Sequence, residues 1–146
     1  MGPHLIELIA VLACSLFAGA AVYITAVEHP ARLLCGTEIA VTQWAPSYQR
    51  ATLMQAPLAI IAALFGVIRG VQGGEVLWLW AAAIILAVVP FTLIVIRPTN
   101  NRLLAPGRDP ASAETRQLLE AWGRLHMVRT VLSLVASILF IWAATR

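Results

Sequence analysis

VLWLWAAAIILAVVPFTLIVI, the run from Val76 to Ile96, carries no charged residue. Its length matches the roughly 20 residues that a helix needs to cross the hydrocarbon core of a bilayer. Trp78 and Trp80 at its start read as interfacial anchors, Pro90 is a candidate kink, and Arg97-Pro98 closes it. Working outward, Leu8 to Val27 is also free of charge, up to Glu28-His29-Pro30, where proline disfavours helix at the preceding residue and lacks an N–H. Ala51 to Ile68 is a third such run, bracketed by Arg50 and Arg69, and the Gly70–Glu75 segment after it reads as a tight polar turn. Residues 97–111, with Pro98, Pro106, Gly107 and Pro110, read as a loop. Ser112 is a fitting N-cap, with Glu114 in the first turn, for a last helix from about Ala113 to Thr145 that becomes apolar only after Arg129. Exposed backbone polar groups are too costly in lipid for anything but helices or closed barrels, and these runs lack the alternation of barrel strands.

The expected fold is therefore all-α: an integral membrane four-helix bundle forming a single transmembrane domain over residues 1–146, with spans at about 5–27, 50–69, 76–97 and 125–145. Residues 30–47 are expected to form a short interfacial connector after the first helix, and the long fourth helix to extend out of the membrane. Composition agrees. Of the 146 residues 60% are hydrophobic and 12% charged, about half the charged share of a typical soluble domain. The net charge of +3 rests on Arg alone, since the chain has no Lys. Those Arg residues sit at the ends of apolar runs, which points to membrane topology and argues against nucleic acid as a partner. Cys14 and Cys35 form neither a metal spacing nor a disulfide framework. The first apolar run is preceded by Glu7 and by no Arg or Lys, so it is expected to be a retained helix and not a cleaved signal.

Arg residues also orient the bundle. The first loop carries Arg32 and Arg50, and the third loop and the helix after it carry Arg97, Arg102, Arg108, Arg116 and Arg124, against Arg69 and Arg146 on the opposite side. The expectation is a bacterial inner-membrane protein with both termini outside and the first and third loops cytoplasmic.

With four helices alternating in direction, the unusual residues collect at that cytoplasmic end. Glu28, His29 and Arg32 close the first helix; Trp44, Tyr48 and Arg50 open the second; Asn100 follows the third; Trp122, His126 and Arg129 lead into the fourth. Trp122, His126, Arg129 and Ser133 share one helical face, as do Tyr48, Thr52, Gln55, Ala59 and Ala62, and Ala18, Ala21, Thr25 and Glu28. Ionisable groups at membrane depth need a partner or a purpose. Structurally, Arg129 is placed to pair with Glu28 and staple the first helix to the fourth, and Trp44 and Trp122 read equally as interface anchors.

Chemically, Glu28, His29 and His126 are the candidate metal ligands. A divalent metal such as iron or copper, a haem held by His29 and His126, and no cofactor at all stay open. Adjacent helix residues point about 100° apart, so Glu28 and His29 can share a metal only if Pro30 distorts the backbone. Equally, Glu28, His29, His126 and Arg129 supply acid, base and oxyanion-stabilising groups as candidate catalytic residues. Arg32, Trp44, Tyr48, Gln55, Asn100 and Trp122 are the candidate substrate-binding residues.

These residues carry a resemblance. Phe17-Ala18-Gly19-Ala20, Glu28-His29-Pro30-Ala31-Arg32, Trp44-Ala45-Pro46-Ser47-Tyr48, Pro98-Thr99-Asn100 and Leu119-Glu120-Ala121-Trp122-Gly123-Arg124-Leu125-His126-Met127-Val128-Arg129 resemble, in order and spacing, the anthrone oxygenase-like family of small four-helix membrane proteins. The resemblance implies oxygen insertion at an activated methylene flanked by aromatic rings. It implies a pocket built from Glu28, His29, Trp44, Tyr48, Asn100, Trp122, His126 and Arg129. The function expected from residues and resemblance together is a membrane-embedded oxygenase or oxidoreductase. Its substrate would be a small lipophilic aromatic or quinol-like molecule, taken at the cytoplasmic end. A haem- or metal-carrying redox protein, or a non-enzymatic membrane subunit or transporter-like protein, is the alternative. Lipid is the surrounding partner, and a homo-oligomer is compatible with the sequence.

Overall fold

The computed structural model describes residues 2–146 and is helical nearly throughout, with no strand among those residues. Helix α1 (Pro3–Tyr23) passes through a π-turn (Ile24–Glu28) into α2 (His29–Leu34). Helix α3 (Thr37–Gly73) returns, and α4 (Val76–Phe91) passes through a second π-turn (Thr92–Ile96) into α5 (Arg97–Leu103). Helix α6 (Ala113–Ala144) closes the bundle. Four continuous rods result, Pro3–Leu34, Thr37–Gly73, Val76–Leu103 and Ala113–Ala144, each long and apolar enough to cross a membrane. The protein is an integral membrane four-helix bundle.

The two π-turns explain why Pro30 and Pro98 do not end their helices. A proline ring clashes with the carbonyl four residues back. Here the preceding residues, His29 and Arg97, donate five residues back instead, to the carbonyls of Ile24 and Thr92. The widened turn makes room for the ring, and the helix continues. Residues 30–47, expected as a mixed connector, are accordingly α2, a two-residue break at Cys35-Gly36 and the first turns of α3. The loop expected over 97–111 shortens in the same way, since Asn100 lies on α5. Pro46 and Pro57 sit inside α3 with exposed rings. The α3–α4 turn is tighter than expected: α3 runs to Gly73, and Gly74 caps it at φ 70°, a left-handed conformation that suits glycine. Ser112 caps α6 as expected, its Oγ accepting from the Thr115 N–H at 3.1 Å.

Packing is inverted relative to a soluble bundle. Large apolar side chains such as Leu8, Leu12, Leu16, Ile60, Ile94, Ile138 and Trp142 face outward, where lipid solvates them. The interior is built on alanine (Ala10, Ala13, Ala21, Ala59, Ala62, Ala81, Ala136), with Phe17, Ile85 and Phe140 filling between. Small residues let membrane helices approach closely. Trp78 belongs to this core and is no interfacial anchor: it is 0% exposed and lies against Phe140, at 5.5 Å between ring centroids. Trp80 does face outward. At the α3–α4 end Arg69 ties the helices together, donating to Glu7 at 2.5 Å and to Glu75 at 3.0 Å. A second core cluster, including Ile24, Trp44, Ile96, Leu119 and Trp122, occupies the opposite end.

Candidate functional site

The first π-turn decides which way the polar residues of the first rod point. Glu28 turns toward α3, where its Oε1 accepts from Ser47 Oγ at 2.6 Å and Gln43 Nε2 at 2.9 Å and pairs with Arg32 Nη2 at 2.6 Å. His29 turns toward α6, where its Nε2 donates to the Leu119 carbonyl at 2.9 Å. A carbonyl only accepts, so the proton of His29 is on Nε2 and Nδ1 carries a lone pair. Gly123 makes this approach possible: a Cβ there would stand 2.7 Å from His29 Cδ2.

The structure therefore corrects two expectations. Glu28 does not pair with Arg129. Its partner is Arg32 on the same helix, while Arg129 Nη2 donates to Gln55 Oε1 at 2.7 Å and its guanidinium lies 5.5 Å from the Phe17 ring centre. The staple between rods is thus Arg129–Gln55, joining α6 to α3. Nor do Glu28, His29 and His126 converge as metal ligands. Among the described residues no group of three His, Cys, Asp or Glu side chains is arranged to hold a metal ion. The backbone distortion needed for Glu28 and His29 is present, but it sends the two side chains to different helices. The imidazoles of His29 and His126 both lie against the indole of Trp122, at centroid distances of 5.0 and 4.9 Å.

His126, 2% exposed, is oriented by two threonines. Thr25 Oγ1 lies 3.0 Å from His126 Nδ1 and 2.8 Å from Thr130 Oγ1. Thr130 Oγ1 in turn donates to a carbonyl, with Ala21 O at 3.1 Å and His126 O at 3.3 Å. With Thr130 donating to one of these carbonyls, Thr25 donates to Thr130 and accepts from His126 Nδ1–H, the arrangement that leaves a lone pair on Nε2. Thr130 was absent from the sequence candidates although it stands four residues after His126, on the same face. Ser47 and Gln43 were likewise missed; their signal was helical spacing, hidden while residues 30–47 read as a connector.

Aromatic side chains pack this end. Trp44, fully buried, stacks on Tyr48 at 5.1 Å and meets Trp122 edge-on at 5.8 Å. Neither Trp44 nor Trp122 is an interface anchor. Asn100 is 1% exposed on α5.

Buried polar atoms without a partner are rare in folded proteins. Ten buried side-chain atoms lack one among the described residues, and all but Trp78 Nε1 belong to this end of the bundle. Most are donors: Nε and Nη1 of Arg32, Nε1 of Trp44 and Trp122, Nε2 of Gln55 and Nε of Arg129. His29 Nδ1 and both polar atoms of Asn100 complete the set. Arg32, Tyr48, Gln55, Trp122, His126 and Arg129 line one small enclosed chamber of about 10 Å³. Three larger spaces adjoin it. A groove of about 220 Å³ between the first rod and α6 shares Trp122 and His126 with the chamber and adds His29 and Met127. A groove of about 530 Å³ shares Ile24 and Ser47 with it and carries Tyr23, Glu28, Arg50 and Met54. An apolar cavity of about 110 Å³ shares Thr52 and Arg129.

Fold and site together define a small four-helix integral membrane protein with a donor-rich polar chamber at one end. The sequence profile of the anthrone oxygenase family matches residues 44–139. The chain is 29% identical to an anthrone oxygenase of Claviceps purpurea, over 94% of this chain and 87% of that protein. It is 32% identical to the anthrone oxygenase ptaC of Pestalotiopsis fici, over 66% and 79%. With the anthrone oxygenase tpcL of Aspergillus fumigatus it shares 44% identity over 40% of this chain, a segment spanning 38% of that relative. No solved structure matches the chain. The protein belongs to the anthrone oxygenase family.

Proposed function

We propose that the protein is a membrane-embedded oxygenase that converts an anthrone-type methylene, flanked by aromatic rings, to the corresponding quinone carbonyl. The observation that carries this reading is the set of unpartnered donors beside two imidazoles with free lone pairs. Such a site suits a molecule that becomes an oxyanion when it loses a proton, because donors already in place stabilise charge where it develops. The family relationship supplies the substrate class.

The flat ring system lies in the groove lined by His29, Trp122 and His126, out of water and against the indole. His126 Nε2 removes a methylene proton; the resulting carbanion is an enolate whose oxygen takes hydrogen bonds from the free donors. It gives one electron to dioxygen, and the carbon radical and superoxide combine into a C–O bond. The peroxide takes up a proton. Loss of the second methylene hydrogen as a proton, with cleavage of the O–O bond, leaves the carbonyl and releases hydroxide, protonated to water. The balance is one CH₂ and one O₂ to one C=O and one H₂O. His126 serves as base, His29 Nδ1 as a second acceptor, Arg32, Gln55 and Trp122 as donors to the enolate oxygen, and Arg129 as donor to the reduced dioxygen. Trp44, Tyr48 and Asn100 shape the pocket, and Glu28 holds Arg32 in place. The Arg distribution supports a cytoplasmic position for this end.

The test is oxygen uptake and quinone formation by protein purified in detergent and given a hydroxylated anthrone. Wild type is expected to exceed the spontaneous rate, and His126→Gln to fall about 100-fold or more below wild type while remaining folded. A His126→Gln rate equal to wild type would sink the assignment of the base. No rate above background would sink the function.

A further inference from the structure

The apolar cavity beside Arg129 is not used by the reaction proposed above. It lies between α1, α3 and the α4 rod, lined by Phe17, Ala59, Val88, Val89, Leu93 and Arg129. Its volume of about 110 Å³ is half that of the groove bearing the imidazoles. Ala56 and Leu93 on its wall are exposed on the outer surface of the bundle, in the lipid-facing stretch of their helices. Its inner limit is Arg129, which also lines the enclosed chamber. The chamber has room for about one water-sized species. Into it face residues whose Arg32 Nε and Nη1, Gln55 Nε2, Trp122 Nε1 and Arg129 Nε donors are unpartnered.

The geometry points to a dioxygen route: the gas passes from the hydrocarbon of the bilayer through this cavity, past Arg129, into the donor-lined chamber. The inference rests on the oxygenase reading above. Dioxygen is small and apolar, and it is more soluble in hydrocarbon than in water, so a dry opening on the lipid face draws from its richer reservoir. A bulky phenolic substrate does not find the room there. Polarity then makes the route one-way. Neutral dioxygen crosses the apolar lining freely. Once it has taken an electron from the substrate anion it is superoxide, held by the guanidinium of Arg129 and barred from the cavity by the cost of moving a charge into apolar surroundings. The oxidant thus stays in the chamber, beside His126 and Trp122, until it meets the substrate radical.

Two variants on the outer wall, Ala56→Phe and Leu93→Trp, narrow the cavity without touching the imidazoles or the chamber donors. Each is expected to raise the oxygen concentration for half-maximal rate about fivefold while the KM for the anthrone stays unchanged. Xenon-pressurised crystals provide a readout that needs no turnover: wild type is expected to show xenon in the cavity and Ala56→Phe to show none. An unchanged oxygen dependence in both variants, or a cavity without xenon in wild type, would overturn the route. A wild type inactive on anthrones would strike the function alone, and xenon occupancy would then decide the cavity by itself.

Discussion

Thr25 Oγ1 stands 3.0 Å from His126 Nδ1, joining the π-turn of the first rod to the middle of α6. With Thr130 handing its hydrogen to a carbonyl, this contact puts the His126 proton on Nδ1 and leaves Nε2 free for the base role proposed above. Thr25→Val removes the acceptor for Nδ1–H, and kcat is expected to drop about 100-fold with little change in KM, as for a misaligned catalytic group. Thr25→Ser should restore most of the rate. Thr130→Val is the sharper case, since it frees the Thr25 hydroxyl to donate to Nδ1 and moves the proton to Nε2. It should be as damaging as Thr25→Val. A mild Thr130→Val beside a severe Thr25→Val would mean that the relay does not set the tautomer.

Gly123 is predicted to be intolerant of any side chain. A Cβ at 2.7 Å from Cδ2 and 2.8 Å from Nε2 of His29 forces the imidazole off the Leu119 carbonyl. Gly123→Ala is expected to destabilise the protein by about 1–3 kcal/mol, as overpacking does. Thermal unfolding in detergent measures it. The double variant Gly123→Ala/His29→Ala removes the clash and should regain part of the loss. Equal stability of the two variants would refute the contact.

How much of this was legible in the sequence follows from what side-chain type can and cannot encode. Charge-free runs announce four membrane helices because lipid admits little else, and the helical faces that bring Gln55 and His126 inward follow from spacing alone. The π-turns were not legible. Glu28-His29-Pro30 and Arg97-Pro98 read as helix ends, because a proline stops a regular helix and nothing in residue type signals the widened turn that absorbs it. The other differences follow from those two turns: Glu28 faces α3 and not Arg129, Asn100 lies on a helix and not in a loop, and Ser47 and Gln43 lie on α3 and not in a connector. Trp78 was misread because tryptophan at the start of a span serves as either anchor or core.

Metal content offers a separate check. Glu28 is engaged by Arg32, Ser47 and Gln43, while His29 turns to the Leu119 carbonyl of α6 and His126, on α6, turns its Nδ1 to Thr25 of the first rod. Three ligands that diverge in this way do not form one coordination sphere. Elemental analysis of purified protein is therefore expected to give the same metal content for wild type, His126→Ala and Glu28→Gln. Stoichiometric metal in wild type that disappears in both variants would require the site to rearrange around an ion.

Topology is testable with a native probe. Cys35 is exposed at the break between α2 and α3, at the same end of the bundle as the site, whereas Cys14 is buried in the core. The Arg excess around that end is the basis for expecting it in the cytoplasm by the positive-inside rule. In intact cells Cys35 is then expected to resist a membrane-impermeant maleimide and to react once the cells are permeabilised. In a Cys35→Ser background, Gly74→Cys at the opposite turn should show the reverse, labelling in intact cells. Cys14 should stay unlabelled in both conditions, since burial blocks the reagent. Labelling of Cys35 from outside would invert the bundle, turn the aromatic groove to the other compartment, and require the substrate to reach it from there.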